Sequence, residues 1–236
     1  MPVIGEINHR QLGRVVVSSR PNSRRATARW RNGLVSLNVP RHLGLPDINR
    51  LLDDFTPRLL ASRPTLRYTA PSRISFPGVD FIIARQSVAP GKMLAKASLP
   101  ACSLEIGTDF DLDDEATTRL ASSLLCRMAR KIAPEILLPR ARQLAARIGR
   151  NPAGWTISTG FRTLGNCSFR GCISLSYVLV FLPQELRDYI ICHELAHLSE
   201  MNHSPRFHAL LDSYLDGREA MLAARLRAYS WPVLRK

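Results

Sequence analysis

One stretch constrains this chain more than any other. From Tyr189 to Leu198 it reads Tyr-Ile-Ile-Cys-His-Glu-Leu-Ala-His-Leu, apolar on nearly every side of a helix and so suited to burial between other elements. Yet it carries His193, Glu194 and His197. Ionisable groups in that setting are costly unless something pairs with them, and a metal ion would. His193 and His197 stand one helical turn apart, so their imidazoles share a face and can grip one Zn2+ at ~2.0–2.1 Å. Glu194 is turned about 100° around the axis, outside the coordination shell but beside a water held there. In this H-E-x-x-H arrangement the carboxylate takes a proton from water whose pKa the metal lowers.

A third ligand is expected nearby. His203 lies six residues after His197, past Asn202, which suits the left-handed end of a helix. Ser204-Pro205 then reads as the cap and first residue of a new helix. The turn folds His203 back toward the pair. Asp212, Asp216, Glu219 and His208 are weaker rivals, and Glu200 shares the histidine face but sits about a turn too far along.

Composition sets the frame around this site. The chain has 236 residues, 45% of them hydrophobic, enough for one large domain or two small ones with a real core. No apolar run approaches the ~20 residues of a membrane span, and no secretory signal is visible. Five cysteines are scattered without a C-x-x-C pair, which favours free thiols in a reducing compartment, the cytoplasm by default. Lys and Arg total 33 against 19 acids. Between Ile7 and Pro46 there are eight arginines and no acid at all, so nucleic acid is a possible partner. An organelle transit peptide shares this composition, but the segment carries a hairpin pattern and reads as folded.

That pattern is Thr27–Arg31 and Leu34–Val39 flanking Asn32-Gly33, a strong turn signal. Arg14–Ser18 is a partner strand, and Ile48, Leu51, Leu52 and Phe55 mark a short helix that Thr56-Pro57 interrupts. Further strands fall at Ser72–Phe76, Val79–Ala84 and Leu99–Ile106. A carboxylate cluster, Asp109 to Glu115, then precedes two helices, Glu115–Ile132 and Pro134–Ile148. Trp155–Thr159 and Cys172–Leu182 read as strands. There is no internal repeat by sequence. The expected class is α+β, with an antiparallel β-rich region over residues 1–107 and a zincin-like helical domain with a small antiparallel sheet over 108–236.

Several segments resemble a known family: Leu164-Gly165-Asn166-Cys167-Ser168, Gly171-Cys172-Ile173-Ser174-Leu175, Phe181-Leu182-Pro183, His193-Glu194-Leu195-Ala196-His197 and Asn202-His203-Ser204-Pro205-Arg206-Phe207. Together they look like the YgjP-like metallopeptidases, relatives of the SprT-like group. The resemblance implies a zinc peptidase with His193, His197 and His203 as ligands and Glu194 as base. The family reads Arg-Trp-Gly-Ser-Cys where this chain has Thr163-Leu164-Gly165-Asn166-Cys167, a change to the substrate-facing wall. The spacing also matches the metzincin motif, although Glu200 stands where that group has Gly.

The expected chemistry is peptide-bond hydrolysis, with Tyr177, Tyr189 and Arg206 as candidate oxyanion donors and Cys172–Val180 as the open strand gripping an extended peptide or protein substrate. A nucleotide phosphoanhydride hydrolase is the alternative, weakened by the lack of a Gly-rich phosphate loop. A nucleic-acid-associated protein with the same zinc site is a third reading.

Overall fold

The computed structural model describes residues 3–19, 25–31, 34–40, 44–61, 66–86 and 88–234. The chain forms two compact units, Met1–Leu66 with Leu234–Lys236, and Arg67–Val233. The first holds β1 (Val3–His9), β2 (Gly13–Ser19), β3 (Thr27–Arg31), β4 (Leu34–Val39) and α1 (Leu45–Ala61). Its sheet runs β1-β2-β4-β3. Val15, Val17, Val35, Leu37 and Val39 form one buried face, on which α1 packs through Ile48, Leu52 and Leu59. This is the burial that a period of 2 on the strands and 3.6 on the helix requires. The β3–β4 hairpin forms with Arg31 opposite Leu34, while its Asn32-Gly33 turn lies outside the described residues. Helix α1 continues through Pro57 instead of stopping there.

The second unit opens with β5 (Ser72–Phe76), β6 (Val79–Gln86), β7 (Met93–Lys96), β8 (Ala101–Gly107) and α2 (Glu115–Ile148). Its sheet order is β5-β6-β8-β7. The outer pairs are antiparallel and the central β6–β8 pair is parallel, as in the first unit, where β2–β4 is the parallel pair. The chain therefore contains the same ββββα module twice. No repeat was expected from the sequence, and the reason is physical. Strand order and pairing sense depend on contacts distant in sequence, while any half-buried strand shows the same alternation.

Both units are α+β, with mixed sheets where antiparallel ones were expected. The compact division also falls at Leu66, not at Gly107: β7 and β8 pack against α2, which keeps β5–β8 with the helices. The two helices expected around Pro134 are one helix of 34 residues. A buried stripe through Leu125, Ala129, Ile132, Ala133, Leu137, Ala141 and Leu144 crosses both Pro134 and Pro139, and this packing offsets the ~3 kcal/mol that each interior proline costs. Asp114 caps the start by accepting from the Thr117 N–H at 2.9 Å, and Gly149 ends the helix at φ 70°.

A three-stranded sheet follows in the order β10 (Gly165–Cys167), β11 (Cys172–Ser176), β9 (Gly154–Ser158). The pair β10–β11 is antiparallel and β11–β9 parallel. The expected long strand to Leu182 ends at Ser176. Its side chain caps a 3-10 turn over Tyr177–Phe181 whose side chains are all buried. Helices α3 (Gln184–Ala196), α4 (Pro205–Tyr214) and α5 (Glu219–Ala228) complete the unit. No helix among the described residues is long and apolar enough to cross a membrane.

Candidate metal centre

Helix α3 is buried on most of its surface, through Leu186, Tyr189, Ile190, Ile191, Cys192, Leu195 and Ala196. Two polar anchors fix it. Arg187, 2% exposed, donates to the carbonyls of Leu179, Val180, Leu182 and Pro77 at 3.1–3.4 Å. Asp188 accepts a two-pronged bond from Arg140 of α2 at 3.0 and 2.6 Å.

His193 lies in the last turn of α3 and His197 at its C-cap. Asn202 does not take the left-handed conformation expected of it: Asp216 is the one described non-glycine residue with positive φ. The helix instead tightens, with Leu198 N–H bonding Leu195 O and Ser199 N–H bonding Ala196 O. The expected restart holds, since Ser204 accepts from Phe207 N–H at 3.3 Å and Pro205 begins α4. Between these ends the chain returns His203 to the pair. One ring nitrogen from each of His193, His197 and His203 lies within 4.8 Å of the others, and the Nε2 atoms of His193 and His203 are 3.0 Å apart. Two imidazoles on one tetrahedral zinc would place their nitrogens ~3.3 Å apart, so the rings are already gathered at metal-binding range.

The surroundings favour neutral, lone-pair-bearing rings. Burial, then the His197 and His203 imidazoles, push His193 down to about 4. Burial also lowers His197. The Nδ1 of His197 lies 3.0 Å from the Glu200 carbonyl; donating there, it leaves Nε2 free for a cation. Glu200 thus acts through its backbone. Beneath the rings lies Phe207, fully buried, with centroids 4.5–4.9 Å from all three imidazoles. Three imidazoles over an apolar floor, with no fourth donor in the group among the described residues, fit a metal that keeps a position open.

Glu194 is 5% exposed. Burial raises it to about 7, against the pull of the Cys167 backbone N–H. Edge strand β10 passes so close that a Cβ on Gly165 would lie 2.5–2.7 Å from Glu194 side-chain atoms. The sequence did not single out Gly165, Phe207 or the Cys167 N–H for these contacts, although all three lie in the quoted segments. Of the rivals for third ligand, His208 and Glu219 bond each other at 2.6 Å, Asp212 accepts from Glu219 N–H at 2.9 Å, and Asp216 lies 3.8 Å from Arg218. None joins the cluster. Of the oxyanion candidates, Tyr189 has its ring 6.2 Å from that of His193. Tyr177 is 2% exposed, packed under Arg130, and Arg206 is exposed on α4.

The profile of the YgjP-like metallopeptidase domain matches residues 24–227, most of the chain. The chain belongs to the YgjP-like family. Members of a metallopeptidase family require a metal ion, and the three-histidine cluster is where the described residues can hold one. Among solved structures, the crystal structure of the metallopeptidase zymogen of Pyrococcus abyssi abylysin is similar at 25% identity. That match covers 37% of this chain and 89% of the other, with a TM-score of 0.34. No curated protein matches the chain.

Proposed function

We propose that this YgjP-like protein is a zinc-dependent peptidase in which His193, His197 and His203 hold the metal and Glu194 is the general base. The observation that carries the reading is the buried Glu194 carboxylate standing one residue from a cluster of three imidazoles. Imidazole donors with one open position suit zinc. When bound, the metal lowers the pKa of water and polarises a carbonyl. The chain supplies the rest. Glu194, raised to about 7 by burial, takes a proton from the attacking water and delivers it to the leaving amine.

The substrate grip lies elsewhere than expected. Strand β11 is paired on both sides, by β10 and β9, so Cys172–Val180 offers no open edge. Strand β10 has one described partner and runs against Glu194. Its free edge can add an extended peptide through main-chain bonds, tolerant of sequence. All five cysteines are free, which supports a cytoplasmic setting. A nucleotide substrate finds less support, since three histidines and a buried carboxylate supply no cradle for phosphates. The test is hydrolysis by zinc-loaded protein of a casein-type peptide against a nucleoside triphosphate. Peptide cleavage is expected; turnover of the triphosphate alone would reverse the assignment.

A further inference from the structure

The α4–α5 corner holds a histidine that the metal centre does not use. His208 Nδ1 lies 2.6 Å from Glu219 Oε1. The imidazole is 52% exposed and the carboxylate 16%, so a largely buried acid fixes a ring that meets water. The corner closes without this bond. Asp212 of α4 already accepts the Glu219 N–H on its side chain at 2.9 Å and the Gly217 N–H on its carbonyl at 3.1 Å. Nor does Glu219 pair with the arginines near it in sequence. Arg218 precedes it and Arg225 follows on the same helix, yet both pair with Glu185.

The ring stands beside the three-histidine cluster. Its centroid is 6.4 Å from that of His203 and 5.5 Å from that of Phe207. His203 is the exposed member of the cluster and Phe207 is its buried floor. His203 and His208 therefore share the side of the centre that meets solvent, from which a substrate enters. A carboxylate only accepts hydrogen bonds, so Nδ1 of His208 carries the proton and Nε2 of the neutral ring keeps its lone pair. That nitrogen has no protein partner among the described residues. It is an oriented acceptor with nothing to accept from.

We infer that His208, oriented by Glu219, binds the substrate by accepting a main-chain N–H of the peptide at Nε2, a role that rests on the peptidase reading. Every residue but proline has that N–H. The contact is thus indifferent to side chains and excludes proline from one position of the substrate. It adds a side-chain contact from α4 to the sequence-tolerant grip of the β10 edge. A neutral ring has no proton to give at Nε2, so its effect falls on binding, and proton transfer stays with Glu194.

The experiment reads binding, so it does not depend on turnover. The full chain carrying Glu194→Gln is loaded with zinc and titrated against a fluorescein-labelled casein-type peptide, with affinity read by anisotropy. Elemental analysis and thermal melting accompany each variant. Adding His208→Ala should weaken peptide binding about three- to ten-fold, with zinc content unchanged. Adding His208→Gln instead, which offers an amide oxygen in place of Nε2, should keep affinity within about two-fold. The same peptide N-methylated one residue at a time then locates the contact. At one position the methyl group should cost the His208 protein several-fold and the His208→Ala variant nothing. Unchanged affinity in His208→Ala, or the absence of any such position, would overturn the inference. So would loss of zinc in step with loss of peptide, which would make His208 a support for His203. Failure of the Glu194→Gln protein to bind the peptide at all would overturn the peptidase reading itself, and this role with it.

Discussion

A β-carbon on Gly165 would stand 2.5 Å from Oε1 of Glu194. The absence of that one carbon lets the edge of β10 close over the Glu194 carboxylate, which shields it from water and raises it to about 7. Desolvation of this kind tunes a carboxyl group for proton transfer near neutral pH. Gly165→Ala must displace either the strand or the Glu194 side chain. We expect kcat to fall about ten-fold or more, with zinc content unchanged by elemental analysis, since no imidazole is touched.

His203 is the exposed member of the three-histidine cluster, so its removal tests metal binding with little disturbance of the core. His203→Ala should reduce bound zinc well below one per chain. Zinc should raise the melting temperature of the parent, because a ligand that binds only the folded state at 100 times its Kd stabilises by about 2.7 kcal/mol. The variant should show a much smaller shift in the same scan.

Much of this centre is legible in the sequence, and the reasons are local. Helical spacing alone sets His193 beside His197, and the Ser204-Pro205 cap restarts the chain so that His203 returns. What sequence could not show are contacts between elements. The clearance between Gly165 and Glu194 belongs to a strand and a helix that meet only in the fold. Phe207 is quoted in the motif, but its place beneath three imidazoles depends on how α4 packs on α3. The modules are invisible for the same reason, since pairing β2 with β4 and β6 with β8 skips a strand each time. Pro134 misled in the opposite direction: a local break signal was overridden by a buried stripe running past it on both sides.

Arg187 is the largest of the fully buried side chains and bonds four carbonyls from the β5–β6 connection and the segment leading into α3. Removing the guanidinium strands those acceptors without water. Arg187→Ala should destabilise the protein by about 3–5 kcal/mol in denaturant unfolding. Because α3 and its C-cap carry His193 and His197, the proposed ligands, zinc affinity should fall with it.

Cys192 gives a pH dependence of defined sign. Burial raises its thiol from 9.0 to about 11, so between these values the unfolded chain loses a proton that the folded one keeps, and stability falls as pH rises. Tyr177, raised to about 12 by burial, adds in the same direction from pH ~10. Arg187, pushed down to about 10 by burial, opposes it above that point, and Cys102 and Cys167, whose thiols burial also raises, add to it from pH 9, so the comparison at pH 9 to 10 is made against a variant that lacks Cys192 alone. There the parent should lose stability relative to Cys192→Ala by on the order of 1 kcal/mol, read as the difference in urea midpoints at the two pH values.

The most direct measurement sets Glu194→Gln beside the parent, both loaded with zinc, on one peptide substrate. The amide keeps the size of the carboxylate and cannot take a proton from water. Equal zinc content and loss of turnover by about a hundred-fold or more is the expected result. Parent-like cleavage by Glu194→Gln at full zinc occupancy would contradict the account at its centre.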